Sequence, residues 1–263
     1  MRQDLYEDLY SKEHEHWWHV GKRSIVYGLL NRSLPREGGK AARNGRMALD
    51  LGCGTGQNLE HLQRYATATG TDYFEEALKF CRERGHTMLA RADAVDLPFA
   101  DSTFEIMTAL DVIEHLDDDY LALKEMLRVM KPGGILIVSV PSYKFLWTYW
   151  DDILGHRRRY TTAMLRDVAE RAGFRVRKLS YSNALTLVPA MAVRVLKNAR
   201  YRIANKNGSQ PDPKSDFIML PRALNRALIS YYGLESRVLR RGRLPFGLSV
   251  VAVLQRPGER QRI

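Results

Sequence analysis

The chain has 263 residues, 45% of them apolar, with two cysteines and a formal net charge of +11. That length supports one α/β core with an elaboration, and two cysteines exclude a disulfide framework. No run approaches the roughly eighteen apolar residues of a membrane span, and Met1 to Glu7 lack the apolar core of a signal peptide, so a cytoplasmic compartment is expected.

Near the start, Glu13 to Arg23 packs His14, His16, His19, Trp17 and Trp18 ahead of a helix expected over 24–30. The histidines invite a metal, but no cysteine or compact carboxylate set completes it, so no metal is expected. Met47-Ala48-Leu49-Asp50-Leu51 reads as a strand that ends in Gly52-Cys53-Gly54-Thr55-Gly56. Without Cβ atoms, these glycines can take positive φ and bring backbone against a bound molecule.

A second strand, 66–71, closes on Asp72, followed by Tyr73 and a helix over 74–84. A carboxylate at that strand end can accept both ribose hydroxyls of an adenosine. Asp93, beside Ala94, offers another acceptor, suited to an adenine amino group. Leu97, Pro98 and Phe99 read as core or turn, and Cys53 as a small loop residue. A strand over 106–110 leads into Asp111-Val112-Ile113-Glu114-His115-Leu116, where His115 reads as a polar helix-entry residue. A helix over 120–130, the turn Lys131-Pro132-Gly133-Gly134 and a strand over 135–140 follow.

The next loop carries Trp147, Tyr149 and Trp150, then Gly155-His156-Arg157-Arg158-Arg159-Tyr160-Thr161. It leaves the carboxyl end of a strand, the edge at which open α/β sheets bind ligands. Thr161 and Thr162 suit the cap of a helix over 163–172. The last two strands, 174–182 and 248–254, are separated by about 65 residues, too many for a structureless loop. Residues 184–247 hold twelve Lys and Arg against three acidic residues, nine of the net charge. Val188, Met191, Ala192, Val195, Leu196, Ala199 and Ile203 recur at helical spacing, and after a breaker at 205–213 so do Leu224, Leu228, Tyr231 and Leu239. Two basic amphipathic helices result. They read as a packed cap, as a lid over an anionic acceptor or an anionic membrane surface, and last as a nucleic-acid contact. Nucleic acid ranks last because Tyr201, Tyr231 and Tyr232 make no stacking platform.

In this order, the motifs over 46–141 resemble the class I S-adenosylmethionine-dependent methyltransferases, in the branch with small-molecule and lipid-precursor acceptors. A dinucleotide oxidoreductase would set its last two glycines three apart, whereas Gly54 and Gly56 are two apart. The Gly-His-x-Arg-Arg-Tyr-Thr pattern and Leu244-Pro245-Phe246-Gly247-Leu248-Ser249 are similar to those of a subgroup read as acting on sugar, lipid-linked or natural-product intermediates. The resemblance implies a Rossmann-like seven-stranded, mainly parallel sheet with helices on both faces and a helical insertion before the last strand. It divides the chain into an N-terminal cover (1–45), a core (46–183 and 248–263) and the basic insertion (184–247).

It also implies site roles. Asp50 and the loop Gly52, Cys53, Gly54 and Gly56 would line the methionine side of S-adenosylmethionine, with Asp72 on the ribose and Tyr73 beside the adenine. Asp93 and the Ala94 amide would meet the adenine edge, and Leu110 the methionine amino group. Trp18, or Trp17, would stack near the sulfonium and Arg23 would pair with the methionine carboxylate; a hydrophobic latch docking the first helix fits the tryptophans as well. His156 is the candidate base for a hydroxyl acceptor, with Arg159 and Tyr160 of the same motif as further catalytic candidates. Arg157 to Arg159 would hold an acceptor carboxylate or phosphate, although three adjacent arginines cannot all face one site. The expected activity is methyl transfer to a small-molecule, sugar or lipid-linked acceptor; the alternative is a non-catalytic cofactor-binding scaffold that uses the basic helices on a membrane or partner.

Overall fold

The computed structural model describes residues 3–34, 36–37, 40–41, 45–206 and 219–258. Seven strands form one sheet: β1 (Met47–Leu51), β2 (Thr67–Asp72), β3 (Leu89–Arg91), β4 (Phe104–Leu110), β5 (Met130–Pro141), β6 (Arg175–Ser182) and β7 (Ser249–Gln255). Their order is β3-β2-β1-β4-β5-β7-β6, and β7 runs antiparallel to both of its neighbours while β3, β2, β1, β4 and β5 pair in parallel. This is the Rossmann-like sheet expected from the sequence.

Period-two alternation divides the core between the two faces. Ile106, Ile135, Ile137, Val251 and Val253 pack with helices α2 (Trp17–Ser33), α3 (Gln57–Leu62), α4 (Glu75–Glu83) and α9 (Arg222–Arg241). Met107, Leu136, Val138, Val250 and Ala252 pack with α5 (Asp119–Val129) and α7 (Thr162–Arg171) on the other face. Both faces are covered, which explains why the central strands read as continuous apolar runs. The chain leaves β1 toward β2 and β3, then returns to lay β4 on the other side of β1. That reversal opens a crevice at the carboxyl ends of β1 and β4.

The described residues also form helices α1 (Gln3–Lys12), α6 (Tyr149–Leu154) and α8 (Leu187–Lys206). Helix α2 starts seven residues before the 24–30 segment read from sequence, because His16 Nδ1 accepts the Trp18 amide (3.3 Å) and Asn225 Oδ1 accepts the Trp17 amide (3.0 Å). The aromatic cluster is therefore mostly helical. The two basic helices form as expected, but their faces differ from the reading. On α9 the buried side carries Asn225, Tyr232, Glu235, Ser236 and Leu239, while Leu224 is exposed. The polar members serve backbone groups: Glu235 accepts from the Asn183 (2.5 Å) and Ala184 (3.1 Å) amides, and Ser236 Oγ donates to Ser24 O (2.7 Å). On α8, Val188, Val195 and Leu196 are exposed. The side chains of Ala199 and Ile203 and the breaker residues 207–213 lie outside the described residues.

Helices α2 and α9 approach closely through two glycines one heptad apart. A Cβ on Gly21 would lie 2.4 Å from the Tyr232 ring, and one on Gly28 would lie 2.3 Å from Ser236 Oγ. Gly21→Ala should therefore lower stability by roughly 1–3 kcal/mol through overpacking, since the Tyr232 ring is fully buried against Trp17. Gly28→Ala should cost less, because the Ser236 side chain can rotate. Urea unfolding of both variants checks the order; an equal or larger loss at Gly28 would refute this packing account.

Candidate functional site

Beyond β1, Gly52, Gly54 and Gly56 all take positive φ, at 68°, 54° and 85°. Each does so in different surroundings. A Cβ on Gly52 would strike Val112 at 2.4 Å and one on Gly56 would meet His86 at 2.9 Å, whereas one on Gly54 would find nothing within 4 Å. Gly54 thus faces open space, a cradle that a ligand can enter.

The ends of β2 and β4 hold this loop. Asp72, 8% exposed, accepts from the Gly54 amide and the Phe74 amide, both at 3.0 Å. Asp50, buried, accepts from Thr108 Oγ1 (2.6 Å) and Asn58 Nδ2 (2.8 Å), so it ties β1 to α3 and β4. Tyr73 is exposed, with the Arg91 guanidinium 5.9 Å from its ring. Asp93 Oδ1 accepts the Val95 amide (3.1 Å), and Ala94 is buried. Cys53 is buried beside Cys81, with sulfurs 3.7 Å apart. Leu110 is half-buried, and Asp111 after it adopts a left-handed φ of 56°.

The N-terminal segment docks on the same loop through residues not singled out from sequence. Glu13 accepts from Thr55 Oγ1 and from Arg84 (2.7 Å), and Arg84 Nε donates to Thr55 O (2.8 Å). Lys22 pairs with Asp111 at the end of β4. Arg23 instead donates to Glu13 O (2.8 Å) and lines a shallow cavity of about 360 Å³ with His14, Val20, Ser24, Gln57 and His61. Trp18 packs beside Leu146, Leu187 and Leu248, with Lys22 Nζ 5.8 Å from its ring. A larger cavity, about 640 Å³, lies between α7, β6 and the Arg243–Pro245 segment and includes no residue of the glycine loop.

After β5, Asp151 of α6 organises the 142–160 loop. It is 1% exposed and accepts from His156 Nδ1 (2.8 Å), from Arg159 Nε (2.8 Å) and Nη2 (2.6 Å), and from the Thr148 amide (2.8 Å). Burial would raise its carboxyl, but the His156 hydrogen bond and the Arg159 charge outweigh that and hold it down at about 2. A permanent acceptor at Nδ1 fixes the His156 proton there and leaves Nε2 as the lone-pair nitrogen. Arg159, 5% exposed, also donates from Nη1 to Ser142 O (3.1 Å), so its guanidinium is held between Asp151 and that carbonyl. Tyr160 is fully buried, and its hydroxyl donates to Asp119 (2.7 Å). The sequence could not separate these two from their neighbours, because both partners lie on other elements. Arg157 is the outward member of the triplet, paired with Asp117 at 3.0 Å.

Burial pushes the Asp50 carboxyl up to about 7, against the lowering effect of its Thr108 and Asn58 hydrogen bonds. Folded chains thus keep this proton up to about pH 7, while unfolded chains release it near the ordinary 3.8. The associated stability is complete below pH 3.8 and is lost as pH rises through 7. Asp50→Asn keeps the acceptor oxygen without that loss. Its Tm should exceed that of the wild type at about pH 8 and converge with it at about pH 4; a lower Tm at the alkaline end would contradict the assignment.

Comparison with known proteins bears on this geometry. Residues 49–138 match the family model described as a methyltransferase domain. A protein of Mycolicibacterium smegmatis, named as a probable S-adenosylmethionine-dependent methyltransferase, is 32% identical over 136 residues, covering 50% of this chain and 53% of that protein. Demethylmenaquinone methyltransferase of Staphylococcus aureus is 37% identical over 103 residues, covering 36% and 43%. The chain therefore spans about half the length of the curated relatives it matches. Among solved structures, a chain of the Haloferax volcanii complex between a methyltransferase activator and a methyltransferase superposes with a TM-score of 0.58 at 19% identity, over 96% of this chain and 97% of that one. Residues 49–138 thus match a methyltransferase domain, and the chain shares its fold with a solved methyltransferase complex chain.

Proposed function

We propose that this chain transfers a methyl group from S-adenosylmethionine to a small-molecule, sugar or lipid-linked acceptor met at the 142–160 loop. The observation that carries the reading is the glycine loop: three left-handed turns, with the open space at Gly54 bordered by Asp72. The cofactor supplies an electrophilic methyl on a positively charged sulfur. The chain's own task is to hold and align. Each Asp72 oxygen keeps a second lone pair after accepting its amide, enough to receive ribose hydroxyls. Tyr73 offers a stacking face and Asp93 an acceptor at the rim. In-line alignment of the acceptor atom, with water excluded, can supply several kcal/mol of the barrier reduction. His156, oriented by Asp151, presents Nε2 on the acceptor side.

Purified protein given S-adenosylmethionine and a metabolite extract should form S-adenosylhomocysteine. Asp72→Ala should weaken cofactor binding at least tenfold, roughly the loss of one or two charge-assisted hydrogen bonds. Wild-type affinity in that variant would sink the site assignment. Cofactor binding without product from any extract would favour the scaffold reading.

The acceptor is further proposed to lie at an anionic membrane surface. Supporting this, α8 exposes Val188, Val195 and Leu196, and its sequence holds five Lys or Arg and no acidic residue. The same helix is tied to the acceptor loop, where Arg194 donates to Leu146 O and Asn198 Nδ2 to Trp147 O (3.2 Å). No described helix is long and apolar enough to cross a membrane, so contact would be peripheral. Anionic vesicles should co-sediment the protein at low salt and release it at high salt. Val195→Glu together with Leu196→Glu should abolish sedimentation, and unchanged sedimentation of that variant would refute the contact.

A further inference from the structure

Glu114 sits in a single 3-10 turn (Ile113–His115) directly after the β4 strand end, fully buried, and neither carboxylate oxygen has a hydrogen-bond partner among the described residues. A buried carboxylate without donors is costly unless a cation or a proton joins it. Neighbouring cations are engaged elsewhere: Lys22 pairs with Asp111, and Arg159 is bound to Asp151 and Ser142 O. What Glu114 faces is a pair of imidazoles. The His115 and His156 rings pack edge to face with centroids 4.7 Å apart, and one ligand atom from each of Glu114, His115 and His156 lies within 4.8 Å of the others.

We propose that Glu114, His115 and His156 form a divalent cation site on the acceptor side of the crevice, which holds an oxygen of the methyl acceptor. Metal bonds of about 2.1 Å place neighbouring donors of a tetrahedral site about 3.4 Å apart, so each of the three separations has to shorten by no more than about 1.4 Å to close the set. Two imidazoles and one carboxylate are a recurrent donor set for transition-series cations, and they leave coordination positions open to a ligand. Support beyond the three donors is present. Asp151 accepts from His156 Nδ1, which leaves Nε2 for a cation and makes a carboxylate–histidine–metal relay. These ligands are not His14, His16 and His19, the histidines clustered in sequence; they come from the β4 loop and from a loop some forty residues later.

This inference rests on the methyl-transfer reading for its chemistry and names the acceptor atom as an oxygen. A cation lowers the pKa of a hydroxyl seated on it. The hydroxyl proton passes to water, the oxygen forms a bond to the methyl carbon as the carbon–sulfur bond breaks, and that electron pair returns to sulfur, giving a neutral thioether and a methyl ether. His156 is then a ligand, which replaces the general-base role expected from sequence.

The test uses the full chain, stripped with EDTA and titrated with Mn²⁺ alone (loss of the free-ion EPR signal) and Co²⁺ alone (visible absorption). One equivalent should bind, and Glu114→Gln and His156→Ala should each weaken binding at least about tenfold with far-UV circular dichroism unchanged. If Glu114→Gln fails to fold, His156→Ala and His115→Ala still decide the matter, since both lie outside the fully buried core. A wild-type chain that binds neither ion, or folded variants that bind both as wild type does, overturns the site. S-adenosylhomocysteine formation at the wild-type rate in EDTA overturns the cation's role and leaves methyl transfer standing. Specific metal binding without product from any acceptor supports the site and counts against methyl transfer.

Discussion

Gly54 can hold its left-handed turn because its amide has a fixed acceptor, the Asp72 carboxylate at the end of β2. That hydrogen bond sets the distance between the glycine loop and the second strand, and with it the width of any ligand that lies between them. It is a charge-assisted bond, so it is stronger than a neutral one. Asp50 does the corresponding work below the loop, where it joins Thr108 of β4 to Asn58 of α3. A shift of either carboxylate would move the backbone that meets the ligand.

The 142–160 loop uses the same device at larger scale. Asp151 is one buried carboxylate with a histidine, an arginine and a helix-start amide on it. Burying it alone would be prohibitive; with these partners it becomes the point from which the His156 ring, the Arg159 fork and the α6 start take their positions. Arg194 of α8 approaches the same carboxylate at 3.8 Å, so the exposed basic helix is registered on the loop it borders.

The glycine loop and its flanking carboxylates were legible because they depend on local backbone needs. Glycines that must adopt positive φ, and acidic residues that close parallel strands, announce themselves within a few positions, as Gly52 to Gly56, Asp72 and Asp93 do. What escaped the reading depends on contacts across the chain. The start of α2 is fixed by Asn225, 208 residues away, and Glu13 meets Arg84 across 71 residues. The buried face of α9 was misplaced because hydrophobic periodicity cannot reveal Glu235 or Asn225 as inward residues; their burial makes sense only with the Asn183, Ala184 and Trp17 amides they receive. Likewise, nothing in Arg157-Arg158-Arg159-Tyr160 says which side chain turns inward. The answer lies in Asp151 and Asp119. Glu114 carried a signal, an Asp-x-x-Glu-His spacing at a strand end, but its isolation is visible only in three dimensions.

Helix α2 links these two sides. Its N-terminal approach binds the glycine loop through Glu13 and Thr55, Lys22 reaches the end of β4, and Trp18 packs on Leu146 of the acceptor loop. The α9 helix in turn fixes α2 through the Gly21–Tyr232 and Gly28–Ser236 contacts. Any movement of α2 would therefore strain a helix pair packed at glycine distance. A basic insertion that follows β6 in sequence thus holds α2, the helix whose Trp18 packs on the 142–160 loop and whose N-terminal approach meets the glycine loop.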